Sequence, residues 1–217
     1  MLKVFSILGI VGGLLCCTGD LFLDLKGRGN QKLGKTKNIE SNWEKMSYWR
    51  FGLSMLLALF GDALVAFGLY SLCAQLYSAG HQVFAFVTFS LGLLGVTGGV
   101  FVHGCCCIQA VVYKAVKEKS NLETADFVLD KFFQQIMPAF AVAYISLLSV
   151  SVCMIICSLC GFLNVPKWFA LCNSLVFMIF GLTLRKINPV LFQDLPGIIM
   201  PSFGLSMIGL MGLINLL

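Results

Sequence analysis

Six long apolar stretches separated by short polar gaps occupy most of the chain: residues 4–25, 51–76, 83–113, 132–163, 168–184 and 198–217. A helix needs about 20 residues to cross the ~30 Å hydrocarbon core of a bilayer, so each stretch has span length, the fifth near the lower limit. None shows the strict alternation of barrel strands, and in hydrocarbon only helices and closed barrels satisfy their own backbone. The pattern predicts an all-α fold, a polytopic transmembrane helix bundle of about six spans forming one integral membrane domain, 1–217. The third stretch is longer than the hydrocarbon core is thick and is expected to tilt or to extend into water. The start Met1-Leu2-Lys3 before an apolar run has the look of a secretory signal. Leu14 and Leu15 precede Cys16, however, where a lipoprotein-type cleavage site wants a small residue, so the run reads as a retained first span.

Composition strengthens this picture. Hydrophobic residues make up 59% of the chain and charged ones only 12%, against roughly 45–50% and ~25% in soluble domains. The formal charge of +5 would suit nucleic acid only on a solvated face. Here the basic residues collect in the gaps instead, which argues against nucleic acid as a partner.

That placement also predicts orientation. Lys26, Arg28, Lys32, Lys35, Lys37, Lys45 and Arg50 lie in the first gap, Lys114, Lys117, Lys119 and Lys131 in the third, Arg185 and Lys186 in the fifth. Only Lys3 and Lys167 remain for the other side. The positive-inside rule then makes 26–50 a basic cytoplasmic loop and leaves both termini outside the cytoplasm, as expected of a bacterial inner (plasma) membrane protein. Trp43, Tyr48, Trp49 and Trp168 fall at the expected interfaces. Anionic lipid headgroups are the expected partner of the basic loop, at about 1 kcal/mol per charge near the surface. Within it, residues 27–37 read as mobile, and 41–49 as a short interfacial helix with Ser41 as N-cap and Glu44 closing a capping box.

Most of the ten cysteines lie inside apolar runs and read as small hydrophobes, Cys105, Cys106 and Cys107 included. No His or Cys pair at ligand spacing accompanies them, so neither a metal site nor a cofactor is expected. Cys73 and Cys160 share the predicted outer side, where a bridge is conceivable.

Ionisable residues inside spans cost at least ~2.5–3.5 kcal/mol and mark candidate sites. Asp20 and Asp24 close the first span beside Thr18, Asp62 sits about midway along the second, and His103 lies in the cytoplasmic half of the third. Counting from the loops brings Asp20, Asp62 and His103 to comparable depth, where they could share protons, bind a cation, or act as acid and base on a polar headgroup. The plainer reading pairs Asp24 with Lys26 or Arg28 and gives His103 a backbone carbonyl. Secondary candidates are Asn188, Gln193, Asp194 and Ser202, set among Pro189, Pro196, Gly197 and Pro201 at a broken start to the last span; an ordinary turn is the plainer reading there. Gly95 and Gly99 form a GxxxG pair suited to close helix packing.

The Gly-Asp20-Leu-Phe-Leu-Asp24 segment, Gly-Asp62, His103-Gly104 and the Asn188-Pro189 to Pro201-Ser202 region resemble an uncharacterised group of six-span bacterial membrane proteins, a domain of unknown function. The resemblance implies fold and location and brings no activity. Ceramidase-like hydrolases need several metal-binding histidines, whereas this chain has His81 and His103 on opposite sides. Nor does any motif decide for the six-span vitamin-capturing subunits of transporters. The readings left are a small transporter or binding protein with a protonatable Asp/His site for a cation or small amphiphile, an intramembrane enzyme acting on a lipid, and a structural subunit of a membrane complex. The number of copies is not set by the sequence.

Overall fold

The computed structural model describes residues 1–196 and 202–217. The first residues of the expected sixth span, 198–201, and the turn residues Gly197 and Pro201 lie outside these. Six helices are described: α1 (Leu2–Asp24), α2 (Tyr48–Ser78), α3 (Gln82–Lys119), α4 (Leu122–Cys160), α5 (Ser174–Ile187) and α6 (Ser202–Ile214). Among the described residues α1 to α4 are each long and apolar enough to cross a membrane, whereas α5 and α6 are not.

The stretch expected as a fifth span, 168–184, is broken. A 3-10 helix, Lys167–Leu171, is followed by a break at Cys172–Asn173 and only then by α5. Asn173 is fully buried, and its side-chain carbonyl accepts from Val176 N at 3.1 Å, capping the new helix. An amide inside an apolar run thus starts a second helix where hydropathy alone reads one continuous span.

The expected loop 114–131 is largely helical. Only Ser120 and Asn121 separate α3 from α4, and Asn121 Oδ1 accepts from Thr124 N at 2.9 Å to cap α4. At 1.5 Å per residue, the 38 and 39 residues of α3 and α4 each span about 57–58 Å.

The core is a close-packed set in which α1 lies between α2 and α6, while α3 packs on α2 and α4. Small residues make the approach possible: Gly9 faces Gly68, Gly12 faces the Gly61 carbonyl, and Gly13 faces Ser206. A Cβ added at these positions would meet backbone, the geometry that small-residue stripes permit between membrane helices. Of the GxxxG pair, Gly95 faces the α4 backbone at Leu147, but Gly99 faces the Asp62 carboxylate.

At the end of the bundle that carries the basic residues, the segment 26–47 forms a cap. Lys32–Leu33 pairs antiparallel with Ile39–Glu40, and Asp126 of α4 accepts from Lys35 N at 2.8 Å. In the segment 27–37, read from the sequence as mobile, the backbone N–H groups of Gly27, Gln31 and Lys35 bond to the side chains of Asp194, Ser41 and Asp126. The interfacial helix is corrected, since Ser41–Lys45 is a 3-10 turn whose N-cap is Glu40. Ser41 Oγ accepts from Gln31 N instead, and Glu44 turns outward to the Tyr113 hydroxyl and Lys117. Those two groups, Lys117 foremost, hold the Glu44 carboxyl below the usual carboxylate range. Trp43 is buried against Tyr113 rather than at an interface, whereas Tyr48, Trp49 and Trp168 are exposed. None of the ten cysteines is in a disulfide, so Cys73 and Cys160 are unbridged.

Candidate functional site

A cavity of about 440 Å³ opens between the helices toward the basic end. That volume falls in the range of small-molecule sites. Asp20, Asp24, Asp62 and His103 all line it, with Ser202 from α6 and Lys26, Lys32 and Glu40 from the cap. Its apolar walls include Val102, Phe133, Ala143, Leu147 and Leu205.

The residues reach the site by simple register. Asp20 lies one residue after Gly19, where α1 runs close to α2; Ser54, nearly two turns into α2, donates to the Gly19 carbonyl at 2.8 Å. Since a carbonyl only accepts, the single Ser54 proton is committed there. The 2.7 Å contact between Ser54 Oγ and His103 Nε2 must then be a donation from the ring nitrogen. His103 Nδ1 faces Asp20 Oδ1 at 3.1 Å, and Ser202 Oγ donates to Asp20 Oδ2. One proton lies between Asp20 and His103, and the pair is net neutral on whichever partner it rests. Three helices and α6 converge on this unit. Asp20 is only 4% exposed.

Asp62 is different. It is 5% exposed, and its Oδ1 takes the Cys16 thiol at 3.6 Å, while Oδ2 lies on the Gly99 side. No lysine, arginine or histidine bonds or ion-pairs with it among the described residues, and residues 197–201 contain no basic residue. Every other carboxylate lining the cavity has a cation: Asp20 has His103, Asp24 has Lys26 at 3.1 Å, and Glu40 has Lys32 at 2.6 Å and Lys26 at 3.5 Å.

The cap supplies the mouth. Burial opposes the Lys26 charge, but Asp24, Glu40 and Asp194 outweigh it and hold the ammonium above the usual lysine range. Burial likewise opposes the Glu40 charge, and Lys26, Lys32 and Asn30 outweigh it, holding its carboxyl below the usual value. Asp194 Oδ2 accepts from Lys26 N and Gly27 N at 3.0 and 3.2 Å, and Gln193 Nε2 donates to Asn30 O at 2.8 Å. Gln193 and Asp194 thus tie the segment before α6 to the cap.

Two expected residues stay apart. Thr18 is exposed, and its hydroxyl donates to Leu14 O one turn back in α1, because position 18 points away from the face that Asp20 and Asp24 share. Asn188 is exposed and caps a turn, accepting from Leu191 N at 3.0 Å. Lys26 pairs with Asp24, as the plainer reading of the sequence has it, whereas Ser54, Cys16 and Glu40 belong to the site although hydropathy gave no sign of them; a neutral serine or cysteine inside an apolar run costs too little to stand out. Among the described residues no three His, Cys, Asp or Glu side chains gather in a way that would hold a metal ion.

No curated protein and no solved structure matches the chain. Over its full length, residues 1–217, the chain matches, and so belongs to, the family of unknown function DUF6796.

Proposed function

We propose that this is a small integral membrane protein that binds or transports a protonatable ligand, a cation or a small amphiphile, at Asp62 and the Asp20–His103 pair. The observation that carries the reading is the buried Asp62 carboxylate, which lines an open cavity and lacks the cation that each neighbouring acid has. A charge held away from water demands a partner, and removing one from a buried pair typically costs 3–5 kcal/mol. A carboxylate without one either takes a proton or awaits a cation, which are the two states that a proton-coupled binding site alternates between. The adjoining Asp20–His103 unit supplies a second mobile proton at the same depth.

The lipid-enzyme alternative is weaker because Thr18, its candidate nucleophile, is bonded within its own helix outside the cavity. In the proposed orientation the basic cap faces the cytoplasm of a bacterial inner membrane. Exposed Lys35, Lys37 and Lys45 meet anionic headgroups, and both termini lie outside. Both chain ends do sit at the opposite end of α2 from the cap: Ser71 Oγ donates to Leu2 O and Gln75 Nε2 to Gly212 O. Labelling of Cys160, at the exposed end of α4, by a membrane-impermeant maleimide from outside intact cells tests the orientation, and labelling only after lysis refutes it.

For the site itself, the test is mass spectrometry of small molecules that copurify with the detergent-extracted protein, alongside pH-dependent uptake in proteoliposomes. Asp62→Asn is expected to lose both the ligand and the pH dependence while keeping its helical content. Unchanged uptake and an unchanged ligand profile in the variant would sink the proposal.

A further inference from the structure

The cavity carries information about the chemistry of its ligand, if the binding reading above holds. Its charged groups cancel in pairs: Asp20 with His103, Asp24 with Lys26, Glu40 with Lys32. Asp62 is left over, so the lining is one positive charge short at a single point, while no positive group is left without an acid. An anionic ligand would therefore find no free cation, and would place its charge against a buried carboxylate. A ligand with no charge would leave Asp62 to be neutralised by a proton alone. A cation with hydrogen-bond donors completes the site.

The surroundings of Asp62 then distinguish an inorganic ion from an organic one. A bare alkali or alkaline-earth ion replaces its water shell with about six or more oxygens. Here Asp62 bonds the Cys16 thiol and faces the hydrogen-only side of Gly99, and the cavity walls include the apolar Val102, Ala143, Leu147 and Leu205. One carboxylate beside apolar walls suits a cation that brings its own donors and a hydrocarbon body. Gly99 keeps the carboxylate face open: an added Cβ would stand 3.5 Å from Asp62 Oδ2, where an ammonium nitrogen would otherwise approach.

We propose that the cavity takes a protonated aliphatic amine, its ammonium on Asp62 and its carbon body along the walls from α3, α4 and α6. The inference rests on the binding reading and narrows it to a chemical class. Binding needs no covalent step; the amine enters as an ammonium to meet the carboxylate, or as a free base that takes the proton from a neutral Asp62.

Three probes of equal tail length separate the classes: octylamine, octanol and octanoate, each titrated into the full chain in lipid nanodiscs, with empty nanodiscs subtracted and sodium and potassium chloride as further arms. Octylamine is expected to bind, with octanol and octanoate at least about 30-fold weaker, the effect of an unmatched charge in a buried pair. Asp62→Asn should lose octylamine by a similar factor. Gly99→Ala packs at ordinary contact distance and so keeps the fold, yet places a methyl at the carboxylate face, and should weaken octylamine about 5-fold or more. Octanol or octanoate binding as tightly as octylamine overturns the amine assignment. Sodium or potassium binding that depends on Asp62, without octylamine binding, overturns it too but leaves the protonatable site standing. Full octylamine affinity in Gly99→Ala overturns the placement on Asp62. Absence of binding by every probe overturns both this inference and the reading beneath it.

Discussion

Two glycine-to-alanine substitutions on neighbouring helices are expected to move stability in opposite directions, for reasons visible in the packing. At Gly68 of α2 an added Cβ would lie 2.7 Å from the Gly9 Cα of α1. Carbon atoms prefer roughly 3.5–4.0 Å, so the two helices must part by about 1 Å along this seam. Overpacking of this kind costs about 1–3 kcal/mol, against which alanine returns about 0.5–1 kcal/mol over glycine in a helix. The net for Gly68→Ala is a loss of about 1–2 kcal/mol. At Gly99 the corresponding atom lies 3.5 Å from Asp62, so the helical gain stands alone and the ligand-free protein is stabilised by up to about 1 kcal/mol. Thermal unfolding followed by circular dichroism in one detergent should place the two variants roughly 4–8 °C apart, at 2–4 °C per kcal/mol for a chain of this size. If Gly68→Ala unfolds no earlier than Gly99→Ala, α1 and α2 do not approach as closely as described, and the argument for a glycine seam fails.

Two further outcomes follow from the site and its cap. The Glu40 carboxyl sits below its usual range because the Lys26 and Lys32 ammoniums and Asn30 outweigh its burial; its stabilisation is present at neutral pH and is lost as pH falls through that lowered value, below the ordinary 4.5. Melting temperature against pH should accordingly fall in the acid range for the native protein and less steeply for Glu40→Gln, and parallel curves would remove Glu40 from the account. Ser54→Ala strips the His103 Nε2 proton of its acceptor inside the bundle and should cost about 1–3 kcal/mol, whereas Thr18→Ala, which removes only a bond back to Leu14 on an exposed face, should stay within about 0.5 kcal/mol. Equal destabilisation in the same unfolding assay would contradict the separation between the two hydroxyls.

The meeting of Asp20, Asp62 and His103 on one cavity was legible because charges in apolar runs are conspicuous and helical rise fixes their depth. Azimuth was less so: Thr18, two residues before Asp20, is turned out of the site by 200° of helical rotation, and only packing shows which face is inward. The neutral partners were hidden for the opposite reason, since Ser54 and Cys16 blend into hydrophobic sequence. Helix starts were misjudged where a single amide does the work. Asn121 turns an expected loop into a two-residue break, and Asn173 splits an expected span, both by accepting a backbone N–H three residues on. A serine- or threonine-flanked asparagine within such runs is a cap signal that averaged hydropathy erases. The cap at the basic end depended on Asp126 and Asp194, each about 90 residues or more from the backbone it holds, which local pattern cannot reveal.

At about 57 Å, α3 and α4 exceed even the ~45 Å from headgroup to headgroup by about 12 Å, so an upright pair seated flush at its other end would raise the turn at Ser120 clear of a bilayer as a mast. The same two rods that carry this mast downward form cavity walls higher up, through Gly99, Val102 and His103 on one and Ala143 and Leu147 on the other. A helix passes a tilt along its length as a stiff beam does, so a sideways displacement at the tip reaches those walls. The beams are unequal: α3 is free of proline, whereas Pro138 in α4 removes one rung of backbone hydrogen bonding between tip and wall. Flexing is expected to concentrate there, so leverage on the pair would widen or narrow the chamber chiefly by moving the α4 side against a steadier α3.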